Sequence, residues 1–304
     1  MGVHGTTRAR VGAWAAALLV PVGLLAGCSD AGGDTTADRT PVTPSSTTSE
    51  PPVSTPELDS IAVIGHSGAT GTGSDPDHPV SDAHANSWAT GENPEVGSIY
   101  RRLLATHPAL EGHNYNEAVN GTDVTALAGQ ASAALGQSPV PDLVLIQGID
   151  NDMRCDGTDR QNQRPFARSL GEVIRTITGS SEGTQVYVVS QWATPERYVA
   201  AIEDNPDAVA QYTGTGLCDL FDARGRPRPA ALRNVQTIFG LYWATTVRTC
   251  ARIPRCFTDG GVEQRMVPTA GDLTADFNHL SISGHRKFAR LAWSAMPAAI
   301  RDRP

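Results

Sequence analysis

Lysine is almost absent from this 304-residue sequence. Lys287 is the single lysine, and arginine supplies the remaining positive charge. Acidic residues outnumber basic ones by 32 to 24, which gives a formal net charge of −8 at pH 7. An acidic protein repels a phosphate backbone, so the charge argues against a nucleic-acid partner.

No apolar run of the sequence comfortably reaches the length of a membrane-spanning helix, which takes about 20 residues. The run that follows Arg8 and Arg10, "VGAWAAALLVPVGLLAG", has 17 residues and contains Pro21. It ends in "LAGC", which is similar to the bacterial lipobox, where cleavage precedes a cysteine that is then lipidated. We therefore expect residues 1–27 to be a lipoprotein signal peptide and Cys28 to be lipidated; the alternative is an ordinary signal peptide with a stray cysteine.

Large apolar side chains are nearly missing from residues 28–57, which are rich in Thr, Ser, Pro and Asp. Such a segment cannot bury enough surface to offset the entropy of ordering it. We predict a disordered tether with a reach on the order of 30 Å, followed by one folded domain over residues 58–304. The domain would then lie on the extracytoplasmic face of the bacterial cell membrane, held there through the lipid anchor.

The sequence lacks the Cys-x-x-Cys pairs and neighbouring histidines that are typical of structural zinc sites. Four cysteines follow Cys28, and an even number in an exported domain suggests two disulfides, although four cysteines allow three pairings. Cys250 and Cys256 are close in sequence, and we expect them to pair. Cys155 and Cys218 would then close a longer loop.

Internal repeats are also absent; beyond residue 58, short apolar runs alternate with helical patterns. The predicted strands are residues 60–65, 113–119, 142–147 and 185–192, and the predicted helices are residues 96–107, 123–135, 166–178, 233–250 and 284–296. Continuous apolar strands separated by helices indicate a parallel sheet covered on both faces. Right-handed crossovers then give a three-layer α/β/α sandwich.

Residues that could take part in catalysis follow the predicted strands or lie near their ends. They are Ser67 in "GHSG", Gly121 in "NEAVNGTD", Asn151 in "QGIDNDM", and Asp276 and His279 in "DFNHLSISGH". Because the carboxyl ends of parallel strands share one edge of a sheet, we expect these segments to meet there.

The residue types in these segments match the requirements of acyl transfer from an ester. A serine hydroxyl needs a base, which a histidine supplies near neutral pH, and an acid behind the histidine fixes its tautomer. We therefore predict Ser67 as nucleophile, His279 as base and Asp276 as the acid. The backbone N–H groups of Ser67 and Gly121 and the side-chain amide of Asn151 would form an oxyanion hole.

These four segments, in this order over about 220 residues, resemble blocks one, two, three and five of the SGNH hydrolases, also called GDSL-type esterases or lipases. The resemblance covers essentially the whole domain after the tether. It implies a flavodoxin-like parallel sheet in an α/β/α sandwich, a Ser-His-Asp triad and an open, shallow site. It implies no metal and no cofactor.

Two departures from the family pattern stand out. His66 occupies the place where the first block usually has an aspartate, which is not the triad acid in the family. The third block usually reads Gly-x-Asn-Asp, whereas "GIDND" contains one extra residue. If the loop absorbs the insertion, Asn151 is the oxyanion residue; otherwise Asp150 takes that place. We favour Asn151, because an aspartate would repel the developing negative charge.

Three further features of the sequence need interpretation. Residues 71–93 form a long polar insertion whose acids and histidines could bind a cation, but we expect a solvated surface loop. Trp88 could line an acyl or sugar pocket or cover the core, and Trp192 is similarly placed. His285 lies at the start of the predicted helix 284–296, where we expect a structural role.

The leading hypothesis is an extracytoplasmic serine ester hydrolase that acts on carboxylic esters with short acyl or O-acetyl groups through an acyl-enzyme. Its substrate would be a small-molecule or glycan ester, and we expect a monomer. One alternative is a cell-envelope O-acyltransferase with the same triad. The other is a non-catalytic, ligand-binding lipoprotein on the same fold.

Overall fold

The structure is a computed structural model, and it describes residues 57–214 and 218–303. The predicted signal peptide, the lipidation of Cys28 and nearly all of the predicted tether lie outside the described residues. In the part of the chain that is described, no helix combines the length and the apolar character needed to cross a membrane.

Five strands form one parallel sheet: β1 (Ile61–Gly65), β2 (Asn114–Asn116), β3 (Leu143–Gln147), β4 (Gln185–Val189) and β5 (Cys256–Thr258). The strand order is β2-β1-β3-β4-β5, which is the flavodoxin-like order. In register, Ile61 of β1 lies opposite Asn114 of β2 on one side and Leu143 of β3 on the other. All residues of β1 and β3 are buried, as expected for central strands covered on both faces.

Nine α-helices are present in the described residues: α1 (Ser67–Thr70), α2 (Ile99–Leu104), α3 (Leu127–Leu135), α4 (Asp159–Ser180), α5 (Pro195–Ile202), α6 (Pro206–Gln211), α7 (Pro229–Cys250), α8 (Ile282–Ala295) and α9 (Ala298–Arg301). Alternate residues of a strand point to opposite faces of the sheet. Ile61 and Val63 of β1 pack in a core with α2 and α8, whereas Ala62 and Ile64 pack in a second core with α3, α4 and much of α7. The predicted three-layer α/β/α sandwich is confirmed.

Both predicted disulfide pairings are confirmed. Cys250, the last residue of α7, is bonded to Cys256, the first residue of β5. Cys155, in the segment after β3, is bonded to Cys218, in the segment before α7. The Cys250–Cys256 bond closes a loop of 6 residues and the Cys155–Cys218 bond a loop of 63.

Among the elements that the sequence patterns did not predict are the strand β5 and the helices α5 and α6. Both helices nevertheless begin with a cap residue followed by proline, a typical helix start. The Thr194 hydroxyl accepts a hydrogen bond from the N–H of Arg197 at 3.4 Å, and the Asn205 side chain accepts from Asp207 at 3.0 Å. The residues that follow are too few to show a clear helical period.

The helix α4 begins at Asp159, seven residues before the predicted start at residue 166. Its first two turns include Pro165 and lack an apolar stripe, so no periodic pattern marks them. The carboxylate of Asp159 accepts hydrogen bonds from the backbone N–H groups of Arg154 at 2.9 Å and Cys155 at 3.0 Å. This contact, rather than a local pattern, anchors the helix start.

The strand order places a crevice between β1 and β3. From β1 the chain continues to β2 at one side of the sheet, and from β3 it continues to β4 at the other side. The segments that leave the carboxyl ends of these two neighbouring strands therefore diverge. Such a switch point is where open α/β sheets bind their ligands.

Candidate active site

The turn after β1 presents Ser67 at the start of α1. A side chain at Gly65 would lie 2.1 Å from the Gln147 carbonyl oxygen, and Gly65 has φ +146°, so only glycine fits there. His66 caps α1: its Nδ1 accepts a hydrogen bond from the N–H of Gly68 at 3.1 Å. Steric limits and this cap together fix the position of the serine.

His279 and Asp276 form a close pair, as predicted from their spacing. His279 Nδ1 lies 2.6 Å from Asp276 Oδ2, while Oδ1 accepts hydrogen bonds from the Thr274 hydroxyl at 2.5 Å and from the N–H of Asn278 at 2.9 Å. Burial raises the pKa of Asp276, but the hydrogen bonds from His279 and Thr274 outweigh it and hold the pKa well below its ordinary value. An ionised carboxylate at Nδ1 favours the tautomer whose Nε2 accepts a proton.

Ser67 and His279 line one cavity of about 270 Å³. The other lining residues follow β1, β3 and β4 or come from the segments around α5 to α8: His66, Gly68, Asp150, Asn151, Met153, Gln191, Trp192, Thr194, Pro195, Tyr198, Tyr212, Cys218, Leu220, Val235, Phe239, Asn278 and Leu280. Within residues 57–214 and 218–303, no hydrogen bond joins the Ser67 hydroxyl to the imidazole of His279. Catalytic hydrogen bonds often tighten only when substrate binds, and the roles of both residues stay a prediction.

Of the predicted oxyanion residues, Ser67 and Asn151 line the cavity and Gly121 does not. Asn151 lines the cavity, and its amide donates a hydrogen bond to the carbonyl of Thr122 at 2.8 Å, which leaves one amide hydrogen. Gly121, with φ +76°, immediately precedes Thr122, but it is exposed and does not line the cavity. The roles of Asn151, Gly121 and the N–H of Ser67 as oxyanion donors stay predictions.

The extra residue of "GIDND" is accommodated in a strained turn. Ile149 has φ +97°, a region that a β-branched residue rarely adopts. A short 3₁₀ turn, Asp150–Asp152, follows. Asp150 and Asn151 both line the cavity, whereas Asp152 is buried and accepts hydrogen bonds from the N–H of Val124 at 3.2 and 3.3 Å.

The two departures from the family pattern, His66 and Asp150, face each other in the cavity. His66 Nε2 lies 3.7 Å from a carboxylate oxygen of Asp150. Burial lowers the pKa of His66, Asp150 opposes this change, and His279 lowers the pKa further. Because Nδ1 of the neutral ring accepts from Gly68, Nε2 carries the hydrogen and points it toward Asp150.

Gln130 is a supporting residue that the sequence reasoning missed. Its side-chain oxygen accepts from the N–H of Gly65 at 2.7 Å, and its nitrogen donates to the Gly65 carbonyl at 3.0 Å and to the Thr122 hydroxyl at 3.1 Å. It therefore ties α3 to the end of β1 and to the segment that Asn151 contacts. A single glutamine in a helix matches no motif, so only the tertiary structure reveals its role.

The two tryptophans have different environments: Trp88 lies in the core and Trp192 lines the cavity. Trp88 is fully buried, packs against Phe288 with ring centroids 4.6 Å apart and donates to the Gln147 side chain at 2.7 Å, so it covers the core. Trp192 lines the cavity. His285 is also buried, and burial lowers its pKa to about 3, in line with the expected structural role.

The polar insertion, residues 71–93, is only partly the solvated loop that we expected. Residues 76–82 are exposed, but residues 71–74 and 86–91 are buried. The cause lies in its anchoring: Asp82 accepts a hydrogen bond from the Thr70 hydroxyl at 2.8 Å, and Trp88 fills the core. Among the described residues, no group of three or more His, Cys, Asp or Glu is placed to hold a metal ion.

Comparisons with known proteins give similarity at the level of structure. No family model and no curated protein matches the sequence. A family 3 carbohydrate esterase from Clostridium thermocellum is 15% identical with a TM-score of 0.47, covering 80% of this chain and 96% of that chain. A GDSL-like lipase from Parabacteroides merdae is 15% identical with a TM-score of 0.43, covering 79% and 98%. An acetyl xylan esterase from Geobacillus stearothermophilus is 15% identical with a TM-score of 0.39, covering 79% and 94%.

Proposed function

We propose that this chain is a serine ester hydrolase of the SGNH type. The observation that carries the proposal is the 2.6 Å contact between His279 and an ionised Asp276, at a cavity that Ser67 also lines. Ser67 precedes Asp276 and His279 by more than 200 positions in sequence, yet it lines the same cavity as His279. Their types supply the nucleophile, the base and the orienting acid of acyl transfer.

In the proposed reaction, the Ser67 oxygen attacks the ester carbonyl while Nε2 of His279 takes its proton. Asp276 stabilises the resulting imidazolium, and the oxyanion meets the N–H of Ser67 and the amide of Asn151, two residues that line the cavity. The tetrahedral intermediate expels the alcohol, which receives the proton from His279. Water, deprotonated by the same imidazole, then attacks the acyl-enzyme; the bond to the Ser67 oxygen breaks, His279 returns the proton to that oxygen, and the acid leaves.

The cavity supports a substrate with a short acyl group, as in small carboxylic esters or O-acetylated glycans. Its volume of about 270 Å³ is slightly smaller than that of typical sites for drug-sized ligands, roughly 300–1,000 Å³. Part of its wall is apolar and contributed by Leu220, Val235 and Phe239. Such a wall accommodates a small alkyl group without leaving polar atoms unpaired.

Replacement of Ser67 tests the proposal. The purified full-length chain should hydrolyse a short-chain aryl ester, and Ser67→Ala should lower kcat/KM by at least ~10³-fold. Ser132→Ala, on the exposed face of α3, should retain the wild-type rate. Release of free acid in equal amount to the alcohol identifies hydrolysis. Formation of an acylated product from an added sugar identifies acyl transfer. Equal rates for wild type and Ser67→Ala would refute the proposed mechanism, whereas the absence of hydrolysis by either protein would favour a non-catalytic protein.

We propose that the protein lies on the outer face of the bacterial cell membrane and is anchored there by a lipid on Cys28. The support is the "LAGC" string at the end of the apolar run and the Thr/Ser/Pro-rich residues that follow. In bacterial cells fed with labelled palmitate, the wild-type chain should incorporate label and Cys28→Ser should not. The adjacent Ser29→Ala variant should incorporate label like the wild type. Label that persists in Cys28→Ser would contradict the proposed anchor.

A further inference from the structure

Asp150 places a carboxylate in the cavity without a cationic partner. The Asp150 side chain is 30% exposed. Its ion-pair partner is His66, whose Nε2 lies 3.7 Å from a carboxylate oxygen of Asp150. His66 is buried and its pKa is lowered, so at neutral pH it is uncharged and leaves the negative charge uncompensated. Among the described residues that line the cavity, none is a lysine or an arginine.

Three aromatic rings line the same cavity. Trp192 and Tyr198 have ring centroids 5.6 Å apart at 78°, and Tyr198 and Tyr212 have centroids 5.6 Å apart at 89°. The Tyr198 hydroxyl donates to the carbonyl of Phe277 at 2.6 Å, which leaves its ring to form the wall. We call Trp192, Tyr198 and Tyr212 the aromatic corner.

The aromatic corner lies within the electrostatic field of the carboxylate. Burial is the main cause that raises the pKa of Tyr198 and of Tyr212, and the negative charges of Asp276 and Asp150 raise both further. The Asp276 carboxylate is hydrogen-bonded to His279 and Thr274 and does not line the cavity, so Asp150 is the carboxylate left for a ligand. A π-face and an unpaired carboxylate both attract a cation.

The arrangement of the rings argues for a compact cation over a sugar. A sugar ring stacks on a flat aromatic platform, whereas neighbouring rings of the aromatic corner stand nearly perpendicular. Steeply inclined rings enclose a corner rather than a flat platform, and corners of this kind hold quaternary ammonium groups in aromatic cages. An alkylated ammonium group also loses less hydration on entry than a metal ion would.

From these contacts we propose that the site takes esters whose alcohol portion carries a compact ammonium group, such as choline esters, with that group bound between Asp150 and the aromatic corner. The proposal rests on the proposed ester hydrolysis and names its substrate class. A bound cation also offsets the charge of Asp150, which would otherwise oppose the oxyanion that forms beside Asn151.

A matched pair of esters tests the preference. Butyrylcholine and 3,3-dimethylbutyl butyrate share shape and acyl group, but carbon replaces the charged nitrogen in the second. For the full-length chain, kcat/KM should be at least about tenfold higher for the choline ester. Asp150→Asn should reduce this ratio at least about fivefold, because the amide keeps the shape of the carboxylate and removes its charge.

Asp156→Asn provides the matched control. Asp156 lies on the same segment after β3, is exposed, and bonds to Thr158 away from the cavity. This variant changes the net charge by the same amount and should keep the wild-type ratio. A wild-type ratio near one, or a ratio that Asp150→Asn leaves unchanged, would overturn the proposed cation site.

A binding measurement separates this inference from the proposed reaction. Calorimetric titration of Ser67→Ala with choline chloride should show saturable binding that 3,3-dimethylbutan-1-ol does not show. The double variant Ser67→Ala/Asp150→Asn should lose the binding. Binding that depends on Asp150 would support the cation site even if Ser67 proved dispensable for hydrolysis. Equal binding of choline and the neutral alcohol would refute it.

Discussion

Asp152, one residue beyond the predicted oxyanion donor, makes the stability of the protein depend on pH. Burial raises its pKa from 3.8 to about 7, although the N–H of Val124 opposes the change. Between about pH 4 and pH 7, the folded chain therefore holds a proton that the unfolded chain has lost. The free energy of unfolding should then fall as pH rises through this window, by on the order of 3 kcal/mol.

The variant Asp152→Asn should remove this pH dependence while keeping an oxygen that accepts from Val124. Urea unfolding at pH 5 and pH 8 measures it: the loss of stability between the two pH values should be smaller in Asp152→Asn than in the wild type. Asp156→Asn, at an exposed carboxylate, should behave like the wild type. Parallel pH profiles for Asp152→Asn and the wild type would contradict the assignment.

Some contacts of the candidate site could be read from sequence and others could not. Asp276 and His279 are three residues apart, so a local turn suffices to pair them, and the prediction was right about that contact. The contact between His66 and Asp150 joins two loops that are 84 positions apart, and nothing local encodes it. The positive φ of Ile149 likewise reflects how the loop after β3 meets its surroundings rather than the preference of isoleucine.

At the scale of elements, the two disulfides should contribute unequally to stability. In the chain-entropy model, the 63-residue loop closed by Cys155 and Cys218 is worth about 4 kcal/mol, and the 6-residue loop closed by Cys250 and Cys256 about 2 kcal/mol. Urea unfolding of the two double Cys→Ser variants measures both losses. A larger loss from the Cys250/Cys256 pair would contradict this ranking.

The same two variants should differ in activity. Cys218 lines the cavity, whereas the Cys250–Cys256 bond lies at the end of α7 beside β5 and lines no part of it. The Cys155→Ser/Cys218→Ser variant should therefore raise KM for an ester at a temperature where both variants remain folded. The other variant serves as its control and should keep the wild-type KM.

The central elements were predictable because they are apolar and periodic. The strands β1, β3 and β4 are short buried runs, and residues 60–65, 142–147 and 185–192 predict them to within a few positions. The strand β5 has three residues, which is too few for a pattern; it is defined by pairing with β4 and by the adjacent disulfide. Short elements of this kind depend on their neighbours for stability.

At the scale of the whole molecule, topology brings the candidate site together. The order β2-β1-β3-β4-β5 makes β1 and β3 neighbours, so Ser67 after β1 and Asn151 after β3 reach the same crevice. The segment that carries His279 precedes α8, which packs on the sheet face that also holds α2. A parallel sheet could be anticipated from alternating strands and helices, and its flavodoxin-like order from the family resemblance; the structure confirms both.

The central claim is that Ser67 is an activated nucleophile. The most direct measurement is peptide mass mapping of the full-length chain after reaction with a fluorophosphonate, which phosphonylates serines that a nearby base activates. We expect one adduct, on Ser67, that is lost in His279→Ala and retained in Ser132→Ala. An unlabelled chain, or an adduct on a different serine, would contradict the account.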